Sequence, residues 1–85
     1  MANKLPVKDI VAKHVMLDAQ GMLCPLPVLR ARKAMKELSP GSTIVVLATD
    51  PGSVKDFIAF CETTGDELIE TSETSGVLRF LIRKR

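Results

Sequence analysis

The stretch Leu23-Cys24-Pro25-Leu26-Pro27 decides the interpretation of this chain, because it joins a cysteine to the start of a helix. Proline fits the first turn of a helix, where its φ is already near the helical value and its missing N–H would have no intrahelical partner. We therefore predict a helix that begins at Pro25 and has Cys24 at its N-cap. A helix N-terminus favours the reactive thiolate. The competing interpretation is that Cys24 is a small, inert hydrophobic residue.

Two segments have the apolar spacing of amphipathic helices. The first is predicted over Pro25–Leu38, ended by Ser39-Pro40-Gly41, and the second over Ser53–Thr64, ended by Gly65. Asp50 or Ser53 is expected to cap the second helix. The apolar stripes consist of Val28, Ala31, Met35 and Leu38 in the first helix, and of Val54, Phe57, Ile58 and Cys61 in the second.

Four segments have the pattern of strands. They are His14–Ala19, Thr43–Ala48, Glu67–Ser72 and Val77–Arg83, and the last two form a hairpin that turns over Glu73–Gly76. In the final strand the even-numbered residues Leu78, Phe80 and Ile82 are expected to face the core.

The predicted order β-α-β-α-β-β indicates an α/β (α+β) fold. We expect a two-layer sandwich, with a four-stranded mixed sheet and both helices on one face. The first two strands should be parallel, so both helices begin at the same edge of the sheet. Cys24 and the loop Asp50–Ser53 should then be neighbours. Two positive helix ends would favour an anionic sulfur there.

The chain has 85 residues, a hydrophobic share of 46% and a net charge of +2, which suits one small domain and gives little support for nucleic-acid binding. We expect residues 14–85 to form that domain and residues 1–13 to form a loosely ordered leader. No apolar run reaches transmembrane length and no secretory signal is evident. Two distant cysteines make no disulfide framework, so we expect a reducing, cytoplasmic setting.

The charges are unevenly distributed. Residues 1–49 carry seven basic and three acidic side chains, whereas residues 50–76 carry one basic and seven acidic ones. This asymmetry either steers a partner or reflects ordinary solvated faces. The same two interpretations apply to the basic residues of the first helix, which are either a solvated face or a docking surface for an acidic partner. They are Arg30, Arg32, Lys33 and Lys36.

The second cysteine and the single histidine have simpler interpretations. Cys61 lies on the apolar stripe of the second helix, so we expect a structural role. A resolving role would require Cys61 to come within disulfide reach of Cys24. His14 has no second ligand nearby and is expected at a strand edge, so we predict neither a metal site nor a cofactor.

Three segments resemble the TusA/SirA-type sulfur-carrier family. Residues 17–27 match its Cys-Pro-x-Pro signature. Residues 48–57 and 60–65 are similar to its second-helix region, and residues 80–84 are similar to its last strand. The resemblance runs from about Val15 to Lys84 and leaves the role of Met1–Lys13 open. It implies that Cys24 bears the sulfur and that Pro25 and Pro27 are the scaffold of the motif.

The resemblance also implies a function. A carrier of this family takes sulfane sulfur as a persulfide, or in some relatives thiosulfate-derived sulfur, and passes it on. The implied donor is a cysteine desulfurase or a rhodanese-like protein, and the implied acceptor is DsrE/TusD-like. The pathways are tRNA wobble-uridine thiolation and sulfur oxidation. We expect a stoichiometric carrier and not an enzyme, with sulfurtransferase as the nearest class.

Two other functions compete with that of a carrier. An RNA-binding or regulatory module lacks exposed aromatic residues for stacking, since Phe57 and Phe80 fall on predicted core faces. A redox dithiol protein would need a second accessible cysteine, and no Cys-x-x-Cys is present. Exchange of sulfur needs little beyond one exposed, reactive thiol. We therefore expect a monomeric carrier with protein partners, without direct contact to membrane or nucleic acid.

Overall fold

The structure, a computed structural model, describes residues 12–85. The predicted leader Met1–Lys13 lies outside the described residues except for its last two. Of these, Lys13 donates its N–H to Ser42 Oγ at 2.9 Å and accepts the N–H of Thr43 at 2.8 Å. The elements are β1 His14–Ala19, α1 Leu26–Met35, β2 Thr43–Ala48, α2 Ser53–Thr64, β3 Glu67–Thr74 and β4 Val77–Arg83.

The four strands form one mixed sheet in the order β1-β2-β4-β3. Strands β1 and β2 are parallel, and the pairs β2–β4 and β3–β4 are antiparallel. A helix connects β1 to β2, as a parallel pair requires, and a tight turn connects β3 to β4. The predicted α+β sandwich with a mixed sheet is confirmed.

A single core lies between the sheet and the two helices. Phe57 of α2 stacks on Phe80 of β4 with ring centroids 4.5 Å apart, and both side chains are fully buried. Leu78 and Ile82 are buried with Phe80, so the predicted inward face of β4 is confirmed. The other buried members of the core are Ala19, Ala31, Met35, Ile44, Val46, Ala48 and Cys61.

Both helices differ from the predictions in detail. Helix α1 ends at Met35 and not at Leu38, because the N–H groups of Glu37 and Leu38 bond carbonyls three residues back and tighten the last turn. Ile58 was expected on the apolar stripe of α2, but 44% of its surface is exposed. It follows Phe57 directly, and the helix turns it away from the ring stack.

The hairpin is longer and its turn is tighter than predicted. Strand β3 extends to Thr74, which pairs with Val77. Only Ser75 and Gly76 remain in the turn, with φ of 51° and 82°. Positive φ at both central residues matches the twist of the flanking strands, and so a two-residue connection suffices.

Candidate functional site

Cys24 lies in the turn between β1 and α1, and it is exposed. The N-cap is Pro25 and not Cys24, so the predicted position of the cysteine was wrong by one residue. The N–H of Leu26 bonds the carbonyl of Leu23 at 2.8 Å, which closes a turn around Cys24 before the helix begins. Pro25 and Pro27 flank the first helical residue, and Pro27 is buried. Cys24 therefore lies just outside helix α1, next to a first turn that the two prolines make rigid.

Asp50 ties this turn to the loop that precedes α2. Its Oδ2 accepts the N–H of Cys24 at 2.6 Å, and its Oδ1 accepts the N–H of Gly52 at 3.1 Å. These two hydrogen bonds hold the pKa of Asp50 below its usual value, and the bond from Cys24 has the larger effect. The predicted proximity of the two loops is confirmed.

The predicted cap of α2 was wrong. The N-cap is Gly52, and no side-chain hydrogen bond caps this helix within residues 12–85. Asp50 is not available as the cap because its carboxylate bonds the backbone of the cysteine turn. The hydroxyl of Ser53 is buried without a hydrogen-bond partner in the part of the chain that the structure describes.

Gly52 allows the two loops to pack closely. A Cβ at this position would lie 3.3 Å from Cys24 Cβ and 3.6 Å from its Sγ. The φ of Gly52 is −62°, which any residue can adopt, so the requirement for glycine comes from the contact. Cys24 is thus held from one side by Asp50 and supported from another by Gly52.

The thiol of Cys24 faces a carboxylate of α2. Cys24 Sγ donates a hydrogen bond to Asp56 Oδ2. This bond, partial desolvation and the negative charges of Asp56 and Asp50 raise the pKa of Cys24, and Lys55 opposes them weakly. The prediction of a lowered pKa was wrong for the free protein, because the side chains of Asp56 and Asp50 raise the pKa of the thiol.

Exposed apolar side chains lie close to the cysteine along the chain. Leu23 is 72% exposed, and Leu26 and Leu29 are each 49% exposed. Beside them a groove of about 310 Å³ runs between α1 and α2, beginning at Pro25 and Asp56. The rest of its lining is Val28, Leu29, Arg32, Ala59, Phe60, Thr63 and Thr64.

The four basic residues of the first helical region are all exposed. Of these, Arg32 also lines the groove. This position is consistent with both interpretations of Arg30, Arg32, Lys33 and Lys36, a solvated face or a docking surface, and the choice between them stays a prediction.

Cys61 is in a different environment from Cys24. It is 7% exposed and belongs to the core. Burial, followed by the charge of Asp66, raises the pKa of its thiol to about 11. Both cysteines are free. A buried, protonated thiol suits the structural role and not that of a resolving cysteine.

The remaining chemistry of the described residues is limited. His14 is exposed on β1, where its Nδ1 shares a hydrogen bond with Thr43 Oγ1. Residues 12–85 contain no group of three or more side chains that could hold a metal ion. Within the same range no helix is long and apolar enough to cross a membrane.

Two residues of the site were not recognised from the sequence. Asp50 was expected only as a cap of the second helix, and no role at the site was expected for Asp56. The available signal was the predicted proximity of Cys24 to the start of α2, because any acidic side chain in that loop or first turn would then face the sulfur. The helix dipoles favour an anionic sulfur at this place, whereas the carboxylates oppose it.

The fold and the site together define a small two-layer α+β domain that presents one exposed thiol beside a proline-started helix. The family model "Sulfurtransferase TusA" matches residues 15–84. The chain therefore belongs to the TusA family, as the resemblance had indicated.

Individual relatives agree with this membership. The chain is 56% identical to the sulfur carrier protein TusA of Allochromatium vinosum over 68 residues, which cover 80% of this chain and 90% of that protein. It is 45% identical to a putative sulfur carrier protein of Neisseria meningitidis, covering 81% of this chain and 93% of the other. The crystal structure of a SirA-like protein from Desulfitobacterium hafniense has a TM-score of 0.74 and 34% identity, covering 81% of this chain and 95% of that chain.

Proposed function

We propose that this protein is a sulfur carrier that accepts sulfane sulfur on Cys24 and passes it to a partner protein. The observation that carries the proposal is the exposure of the Cys24 thiol on a turn fixed by Asp50. Membership of the TusA family supports it, as do relatives named sulfur carrier proteins. The only other cysteine is buried in the core, which leaves Cys24 as the accessible thiol of the chain.

The transfer is a pair of thiol exchange steps. Cys24 attacks the terminal sulfur of a donor persulfide, the donor S–S bond breaks, and a new S–S bond forms to Cys24 Sγ. The donor cysteine leaves with the proton that Cys24 gives up, so the products are Cys24 persulfide and a donor thiol. An acceptor thiolate then attacks the same terminal sulfur and regenerates Cys24. No oxidant or reductant is consumed in either step.

The other parts of the proposal rest on membership of the TusA family. The protein acts stoichiometrically in a cytoplasmic, reducing setting, with a cysteine desulfurase or rhodanese-like donor and a DsrE/TusD-like acceptor. Pro25 and Pro27 stiffen the helix start that follows the thiol. Phe57 and Phe80 are buried, so they offer no stacking faces for RNA, and no observation favours an RNA-binding module.

The test is transfer in two stages. The native chain, Cys24→Ser and Cys61→Ser are incubated with inorganic polysulfide, desalted, and then mixed with a small thiol acceptor. We expect the native chain and Cys61→Ser to gain and then release sulfane sulfur, as followed by intact mass. Equal gain and release by Cys24→Ser would overturn the proposal. Repeating the loading step with tetrathionate asks whether Cys24 also takes a thiosulfonate cargo.

A further inference from the structure

The thiol of Cys24 is bordered by two acidic side chains. Its Sγ donates to Asp56 Oδ2, and the N–H of the same residue donates to Asp50 Oδ2 at 2.6 Å. Among residues 12–85, Lys55 opposes the effect of these carboxylates on the sulfur, and Arg32 of α1 lines the groove that Asp56 borders. The thiol thus lies in a locally negative environment.

Neither carboxylate is neutralised within the described chain. The ion pairs among residues 12–85 join Arg79 to Glu70 and Arg83 to Glu67, both on the β3–β4 hairpin. Asp56 is half-buried at the start of α2, and one of its oxygens accepts the thiol. Its negative charge is therefore directed at the sulfur and remains available to a partner.

This geometry favours the protonated sulfur. An S–H group that donates to a carboxylate is a thiol, and its ionisation would place a negative sulfur against a negative oxygen. Exchange of sulfur proceeds through the thiolate. The free protein consequently presents an accessible sulfur in its less reactive form.

We propose that Asp56 is a positioning residue that holds Cys24 as a hydrogen-bonded thiol in the free carrier, and that a sulfur-exchanging partner frees it by placing a cationic side chain against Asp56. This inference rests on the proposed carrier function. A guanidinium or ammonium group competes with the thiol for the carboxylate oxygen and cancels its charge. The thiol proton then passes to the leaving donor thiolate, and the exchange stays balanced without a further reactant.

The first experiment measures the pH dependence of alkylation of Cys24 by iodoacetamide in the full chain. Trypsin separates the two cysteines, because Arg30 and Lys55 lie between them, so each thiol is quantified on its own peptide. We compare the native chain with Asp56→Asn. The matched control is Glu62→Gln, which removes the same charge from an exposed position of the same helix.

Asp56→Asn is expected to move the alkylation profile to lower pH and to raise the rate at neutral pH by about three- to tenfold. Glu62→Gln should leave the profile unchanged. A slower rate in Asp56→Asn would make Asp56 a base that activates the thiol and would overturn the proposal. An unchanged profile would overturn it too.

The second experiment tests the charge of the partner. Cys24 is treated with cationic trimethylammonium-ethyl methanethiosulfonate and with anionic sulfonato-ethyl methanethiosulfonate, and each rate is divided by that of N-acetylcysteine amide. We expect the cationic reagent to be favoured by the native chain and this preference to fall in Asp56→Asn. An equal preference in both chains would contradict a cation-binding role for Asp56.

Failure of this inference is distinguishable from failure of the carrier function. Loading of Cys24 with polysulfide, together with an unshifted alkylation profile in Asp56→Asn, would refute the role of Asp56 alone. A shifted profile without any loading of Cys24 would support the electrostatic role of Asp56 and refute the carrier function on which the partner's part depends.

Discussion

Replacement of Phe80 by alanine tests the packing that supports the site. The ring is fully buried and stacks on Phe57, which follows Asp56 in α2. Truncation of a buried phenylalanine costs about 3–5 kcal/mol in the free energy of unfolding. A chain of 85 residues is expected to have a total of about 4–13 kcal/mol. Phe80→Ala should therefore remove a large part of the stability and leave α2 poorly held.

The assay is urea unfolding followed by far-ultraviolet circular dichroism, since the chain has no tryptophan or tyrosine for fluorescence. Phe80→Leu is the milder variant, because it keeps an apolar side chain and loses the ring contact, worth about 0.5–1.5 kcal/mol beyond the area buried. Leu29→Ala, at a site that is 49% exposed, is the control and should cost less than either. A loss in Phe80→Ala no larger than that in Leu29→Ala would refute the assigned core.

Three further variants address the thiol of Cys61, the hairpin turn and the contact of Gly52 with Cys24. The pKa of Cys61 is raised to about 11 from an ordinary 9.0, so the folded state holds this proton more tightly than the unfolded state. The contribution of this thiol to the free energy of unfolding is complete below pH 9.0 and is lost as the pH rises to about 11. After a discount for solvent screening, the native chain should lose about 1–2 kcal/mol more than Cys61→Ala over that range in urea unfolding. Parallel curves would contradict the buried position of the thiol. Gly76→Ala should lower the free energy of unfolding by about 1–2 kcal/mol, because Gly76 has a φ of 82° and no atom crowds its position. Gly52→Ala has no such backbone cost and should instead alter the alkylation rate of Cys24. Equal unfolding midpoints for Gly76→Ala and the native chain would count against the left-handed turn.

The sequence was sufficient for features that depend on periodicity. The alternation in β4 placed Phe80 on the core face, and the helical spacing around Phe57 placed Cys61 beside it. Both positions are confirmed because burial of an apolar face is a strong requirement that acts on whole elements. The parallel pairing of β1 and β2 followed from the helix that connects them.

The features that were missed depend on single contacts between distant residues. Cys24 and Asp56 are 32 positions apart, and neither helix pattern indicates that an S–H group meets a carboxylate. The same contact reverses the direction predicted for the pKa of the thiol. Asp50 is a plausible cap by local rules, but its carboxylate bonds the N–H of Cys24. Local propensity cannot decide between a cap and a bond across the fold.

The central claim is that Cys24 carries the transferred sulfur atom. Locating that sulfur in the loaded protein tests the claim most directly. The native chain is exposed to inorganic polysulfide, the product is trapped with iodoacetamide, and the tryptic peptides that contain Cys24 and Cys61 are sequenced by tandem mass spectrometry. We predict that the additional sulfur lies between Cys24 and the alkyl group and that Cys61 carries none. An adduct found mainly on Cys61, or spread equally over both thiols, would contradict the account.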